Sequence, residues 1–177
     1  MFQWLRIRRA DSVLRKARRL IAEGEPRAAI PPGERLLELK HTGGFEVLAL
    51  AHLAIGDSKE AVAVAQRGVE AAPGAWLLWQ LLGNLLDTAG RSEEALDAYD
   101  RAATCSGAVP AAVEYNRSLA LSHLRRFEEA FRAVEVACKA EPGEELLPLA
   151  VAQAVDCLLE LARGSEAVAF AQAAAAA

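Results

Sequence analysis

Residues 81–102 read LLGNLLDTAGRSEEALDAYDRA, a leucine-rich helical run with a glycine inside it. Gly83 costs such a helix about 1 kcal/mol relative to alanine, so the position must return something elsewhere. Shifted back by 34 residues, the stretch lies over VLALAHLAIGDSKEAVAVAQRG (47–68); shifted forward by 35, it lies over NRSLALSHLRRFEEAFRAVEVA (116–137). Gly83 then shares a column with Ala49 and Ser118, all small, and Leu86 stands with His52 and Leu121. A turn column reads Gly56, Gly90, Arg125, and the next is alanine throughout: Ala61, Ala95, Ala130. Further on stand Ala65, Tyr99 and Val134, then Gly68, Ala102 and Ala137, and finally Pro73, Gly107 and Pro142.

Self-similarity at this period marks a stacked repeat. Each unit holds two runs of roughly 13 residues with helical spacing, separated by a turn and ended by Pro or Gly. Each unit is therefore an antiparallel helix pair, and the small columns are where two helices cross closely. The spacing predicts that Gly83 permits tight contact with its partner helix near Ala95, where a leucine would overpack the crossing by about 1–3 kcal/mol. The expected architecture is all-α, a solenoid of stacked antiparallel helix pairs.

Composition agrees. The 177 residues are 53% apolar but only 6% aromatic, so alanine, leucine and valine do the packing, and these favour helix through alanine and leucine. Net charge is −4, unevenly spread: residues 1–20 carry seven Lys/Arg against Asp11 alone, leaving thirteen bases against twenty-three acids downstream. That balance argues against nucleic-acid binding, which needs a broad basic surface. Cys105, Cys138 and Cys157 are odd in number and widely spaced, which predicts reduced, buried thiols rather than a disulfide framework. The start, MFQWLRIRR, lacks the apolar stretch of a signal peptide, and no window approaches the ~18 uninterrupted apolar residues of a membrane span. A cytoplasmic chain is expected.

WQLLG (79–83), followed by Leu86, Ala95 and Tyr99, resembles the tetratricopeptide signature W-x₂-L-G-x₂-Y…A-x₃-F…P. Trp79, Leu82, Gly83, Ala95, Tyr99 and Ala102 are in register; Leu86 stands in for the tyrosine and Gly107 for the final proline. The resemblance implies a right-handed α-solenoid, a superhelix of repeats at 42–75, 76–109 and 111–144, with degenerate repeats at 10–41 and 145–177 behind a basic, aromatic extension at 1–9. It implies a fold, which by itself serves many functions.

The ends depart from the pattern. At an offset of 32, Ala17, Leu20, Gly24, Ala29 and Leu36 match Ala49, His52, Gly56, Ala61 and Gly68, but Pro31–Pro32 fall inside the expected second helix. A mid-helix proline costs ~3 kcal/mol while one in the first turn is tolerated, so that helix is expected to begin near Pro32 and its predecessor to cover about Ala10–Ala22. After Pro142, EELLPLAVAQAVDCLLELA reads as a long first helix and RGSEAVAFAQAAAAA as its partner, with Gly164 turning and Ser165 able to cap. That last helix carries one charge, Glu166, and presents Val168, Phe170 and alanines. A solenoid end needs a polar cap, so either the protein continues or this face meets another molecule, self-association included.

No chemistry is legible. His41, His52 and His123 are scattered, with no HExxH and no Cys/His cluster, so neither catalytic residue, metal nor cofactor is expected. Ser58, Ser92 and Ser165 follow turns as possible caps, and Asp57-x-x-Glu60 resembles a capping box. The acid pairs Glu93–Glu94, Glu128–Glu129 and Glu144–Glu145 stand at helix starts, where the macrodipole favours them.

What remains is a surface. In the family frame the groove is lined by first-helix positions: Glu46 and Leu50; Leu77, Gln80, Asn84, Asp87 and Thr88; then Tyr115, Asn116, Leu119, Ser122 and His123. Asn84 and Asn116 occupy the two asparagine places of the carboxylate clamp that some tetratricopeptide co-chaperones use. The cationic places hold Gln80 and either Leu146 with Ala150 or Leu149 with Gln153, so the charge-assisted bonds a carboxylate needs are missing. A neutral groove suits the backbone of an internal peptide segment of a protein partner. A second expectation concerns WLRIRRADSVLRKARRL (4–20): Val13, Ala17 and Leu20 on one face and arginines on a solvated face. Alternatively Phe2, Trp4, Leu5 and Ile7 form an interfacial patch for anionic lipid or an acidic protein, which would make the chain a peripheral membrane or assembly adaptor.

Overall fold

The computed structural model describes residues 2–176, with side chains described from 8 to 175; Phe2, Trp4, Leu5 and Ile7 of the N-terminal patch therefore lie outside the described side chains. Ten α-helices follow one another among the described residues, with no strand: α1 (Phe2–Ala22), α2 (Pro26–Glu38), α3 (Gly43–Ala54), α4 (Ser58–Ala71), α5 (Trp76–Thr88), α6 (Ser92–Thr104), α7 (Pro110–His123), α8 (Phe127–Lys139), α9 (Gly143–Glu160) and α10 (Gly164–Ala176). Contacts divide the chain into two compact units, Met1–Leu85 and Leu86–Ala177, the division falling inside α5.

The first unit packs α1, α2 and α3 around Ala10, Ala17, Ala29, Leu36, Val47 and Ala51, with Val13, Leu14, Leu20 and Ile30 against them. The small residues are there because helices touch. A β-carbon on Gly33 would sit 2.8 Å from Leu48 Cγ, one on Gly44 2.8 Å from the Gly33 carbonyl oxygen, and one on Gly68 3.0 Å from Phe45 Cβ. Gly83 and Ala49 are buried as their column requires.

The second unit is built the same way. Tyr99, Val113, Leu121, Val134, Cys157 and Leu158 are its largest fully buried side chains, together with the small Ser118. Burial pushes the Tyr99 hydroxyl well above its usual range. At the far end Ala150 and Ala154 pack on Val134, with Tyr115, Phe131, Cys138 and Phe170 around them.

Every turn from a first helix to its partner closes the same way. The residue in the left-handed region is Gly24 (φ 79°), Gly56 (87°), Gly90 (76°), Arg125 (58°) and Ala162 (58°) in turn. The N–H of the following residue returns to the carbonyl five back: Glu25 to Leu20, Asp57 to His52, Arg91 to Leu86, Arg126 to Leu121 and Arg163 to Leu158, all at 2.8–2.9 Å. This is the Schellman arrangement, which satisfies carbonyls left over at a helix end. It corrects the last turn: Ala162 takes the left-handed conformation, and Gly164 opens α10 instead. With that register the alanine column extends at both ends, as Ala29, Ala61, Ala95, Ala130 and Ala167, all buried.

Five further expectations are corrected. α1 starts at Phe2, not Ala10, so the basic extension is helical backbone continuous with the first repeat helix. α2 starts at Pro26 and runs through Pro31 and Pro32. Those prolines remove the bonds to the carbonyls of Arg27 and Ala28, but both residues are exposed, so water can take the freed carbonyls. Ser58 and Ser92 do not cap: Asp57 caps α4, its Oδ1 accepting from the Glu60 N–H at 3.1 Å, and Ser92 Oγ instead donates to Asp87 Oδ1 at 2.6 Å. Phe170 is only partly presented to solvent: it is half-buried and lies edge-on to Phe131, ring centres 5.9 Å apart, while Val168 on the same helix is 58% exposed. Of the cysteines only Cys157 is buried, Cys105 and Cys138 being half-buried, and all three are free thiols.

Candidate functional site

The first-helix positions are brought together within each unit. In the first, Glu46, Leu50, Leu77, Gln80 and Asn84 line one hollow of about 250 Å³ together with Arg18, Leu78 and Leu81. Leu77 is 60% exposed and supplies an apolar wall. The Arg18 guanidinium spans both oxygens of Glu46, at 3.1 and 2.7 Å, and that carboxylate holds the guanidinium's pKa above its usual value. Sequence reasoning placed Arg18 on a solvated face and missed it. The signal was present: the 32-residue offset that aligns Ala17 with Ala49 puts Arg18 on Leu50, a groove position.

In the second unit the groove residues are partly engaged with one another. His123 Nδ1 lies 3.0 Å from both oxygens of Asp87, which also accepts from Ser92. Asp87 is thus a joint between α5, α6 and α7 rather than an open acceptor. Tyr115 leans on the Val134 cluster, and Asn116 and Leu119 are half-buried. Gln153 is drawn into the α7–α9 packing, where its Nε2 donates to Ser122 Oγ at 2.8 Å and Ser122 Oγ is 3.5 Å from Cys157 Sγ. Ala150 is buried and Leu149 exposed, so neither alternative for the cationic clamp places offers a charge.

The Trp79 indole N–H donates to the Pro73 carbonyl at 2.8 Å, tying the start of α5 to the loop before it. The acid pairs are more than dipole partners. Arg91, Arg126 and Arg163, each just before a second helix, grip Glu94, Glu129 and Glu166 through two bonds of 2.6–2.8 Å. Arg126 also reaches Glu93 at 3.4 Å and Arg163 reaches Glu128 at 3.2 Å, so each guanidinium joins its own helix to the preceding repeat. No group of three or more His, Cys, Asp or Glu able to hold a metal occurs among the described residues, and none of the described helices is long and apolar enough to cross a membrane.

A family model described as tetratricopeptide repeat matches residues 78–104, spanning Trp79, Gly83, Ala95, Tyr99 and Ala102. Residues 78–104 are thus similar to a single tetratricopeptide repeat. Solved structures agree on the fold. A crystal structure of MamA protein superposes with a TM-score of 0.74 at 18% identity, covering 93% of this chain and 89% of that one. MamA 41-end from Desulfovibrio magneticus RS-1 gives 0.75 at 16% identity, with 93% and 92% covered. A Podospora anserina putative kinesin light chain with nearly identical TPR-like repeats gives 0.76 at 16% identity, with 95% and 94% covered. At these identities the likeness is one of fold. Comparison with curated protein sequences gave no match. The tetratricopeptide fold is in general a scaffold for protein–protein interaction.

Proposed function

We propose that this chain is a non-catalytic scaffold that holds a segment of a partner protein on the first helices of its repeats. What supports this reading is the hollow of the first unit. It joins apolar walls, Leu50, Leu77 and Leu81, to two amides, Gln80 and Asn84, beside a charge pair that neutralises itself, Arg18–Glu46. Amides bond to a peptide backbone without regard to its sequence, and the leucines take an apolar side chain; the mixture suits an internal, extended segment. The half-buried Asn116 and Leu119 on α7 offer the same mixture in the second unit.

Affinity capture with the full chain, read by mass spectrometry, identifies the partner. The double variant Asn84→Ala/Asn116→Ala is expected to keep its helical circular dichroism and to lose at least tenfold in affinity for that partner. Unchanged binding refutes the assignment.

A further inference from the structure

The second unit carries another hollow, away from the first-helix positions. It measures about 710 Å³ and lies between the end of α8, the start of α9 and the last turns of α10. Its floor is Leu147, Val151, Phe170 and Ala173, and Phe131 braces it by holding Phe170 edge-on. The volume is within the ~300–1,000 Å³ of clefts that bury a ligand. Its rim is acidic. Glu141 and Glu144 line it and are exposed, with no ion-pair partner among the described residues, whereas Lys139 is already spent on Glu135 at 3.0 Å. The α9 N-terminus adds roughly half a positive charge, less than the two full charges of Glu144 and Glu145 in its first turn.

An apolar floor under an acidic rim calls for a segment that is apolar and basic together, and this chain contains one. Residues 1–9, MFQWLRIRR, hold Phe2, Trp4, Leu5 and Ile7 interleaved with Arg6, Arg8 and Arg9 and include no acid. Further along α1 the exposed Arg15 and Lys16 continue the charge, while Ala10, Val13, Leu14 and Ala17 are used in the unit's own core. We infer that the α8–α9–α10 hollow docks the N-terminal segment of a second copy of this chain. Large apolar side chains fill the floor, and arginines meet Glu141 and Glu144 at the rim. The contact joins two different surfaces, so it propagates from copy to copy unless the rotation closes a ring.

Sedimentation velocity of the full chain tests this. Mass is expected to rise with concentration at about 50 mM salt and to fall back to monomer near 300 mM, because exposed charge pairs are screened. Glu141→Lys/Glu144→Lys is expected to weaken association at least tenfold, and Arg6→Glu/Arg9→Glu to do the same. Glu141, Glu144 and Arg9 are exposed, so these variants should keep the wild-type circular dichroism. Mixing the two charge-reversed proteins should restore association, which neither misfolding nor a general loss of charge would do. A fluorescent peptide of residues 1–20 should bind wild type and not Glu141→Lys/Glu144→Lys. The inference is overturned by a chain that stays monomeric, whether or not it sediments with anionic vesicles or binds the peptide. Failure of the mixture to re-associate also overturns it. Binding of a partner to the first-helix hollow is read separately through Asn84 and Asn116 and is independent of these outcomes.

Discussion

A single residue in the left-handed region closes each turn between paired helices, and it need not be glycine. Gly90 has open space where a β-carbon would go, so its advantage is conformational alone. L-residues there cost roughly 1–2 kcal/mol, offset in part by the backbone freedom that glycine loses on folding, about 0.5–1 kcal/mol. Arg125 and Ala162 take the same conformation at φ 58°. Ala162→Gly is therefore expected to raise stability by about 0.5–1 kcal/mol, and Gly90→Ala to lower it by a similar amount. Urea denaturation of the two single variants measures both. Equal midpoints would mean that the Schellman bonds, present in all five turns, decide the geometry irrespective of side chain. Sequence reasoning found Gly56, Gly90 and Arg125 but chose Gly164 for the last turn, because glycine is the habitual resident. The deciding signal was the arginine after the turn: Arg91, Arg126 and Arg163 share a column, and Ala162 precedes the last of them.

The helices show what a hydrophobic pattern can and cannot reveal. The alanine column and the small columns were legible because close packing admits only small side chains at a crossing. The start of α2 was not, since a proline penalty assigned in isolation ignores that the residues whose carbonyls are freed, Arg27 and Ala28, are exposed. Nor were the bonds of Arg126 to Glu93 and Arg163 to Glu128, whose partners are set by three-dimensional register, whereas the Arg–Glu grips are i,i+3 pairs that spacing alone provides. In each grip the guanidinium's hydrogen bonds hold the carboxyl of Glu94, Glu129 or Glu166 below its ordinary 4.5. A carboxyl lowered by folding contributes stability above the unfolded value and loses it as pH falls through the folded one; being at the surface, each contributes little. In an NMR titration these three side chains should have midpoints below 4.5, and Arg91→Gln should return Glu94 alone toward that value. A Glu94 midpoint unmoved by Arg91→Gln would show that the helix N-terminus, not the arginine, sets it.

At the scale of the molecule, the repeat pattern was readable because small side chains recur at the helix crossings within each unit. The candidate surface was read less completely. Gln80 and Asn84 followed from repeat position, but Asp87 and His123 turned out to satisfy each other, and Arg18 was hidden by membership of a basic run. What a side chain faces depends on its neighbour's length and charge, which periodicity does not encode. The 34- and 35-residue offsets relating the repeats carry a mechanical meaning as well. A repeat array is held by nearest-neighbour interfaces, so under tension it should give way by whole helix pairs. Each released pair would add roughly 110 Å of contour, from about 3.3–3.6 Å per extended residue less the ~10 Å that the folded pair already spans. Optical-tweezer traces of the chain should therefore rise in near-equal treads of that height; one single rip would mean that the repeats surrender together.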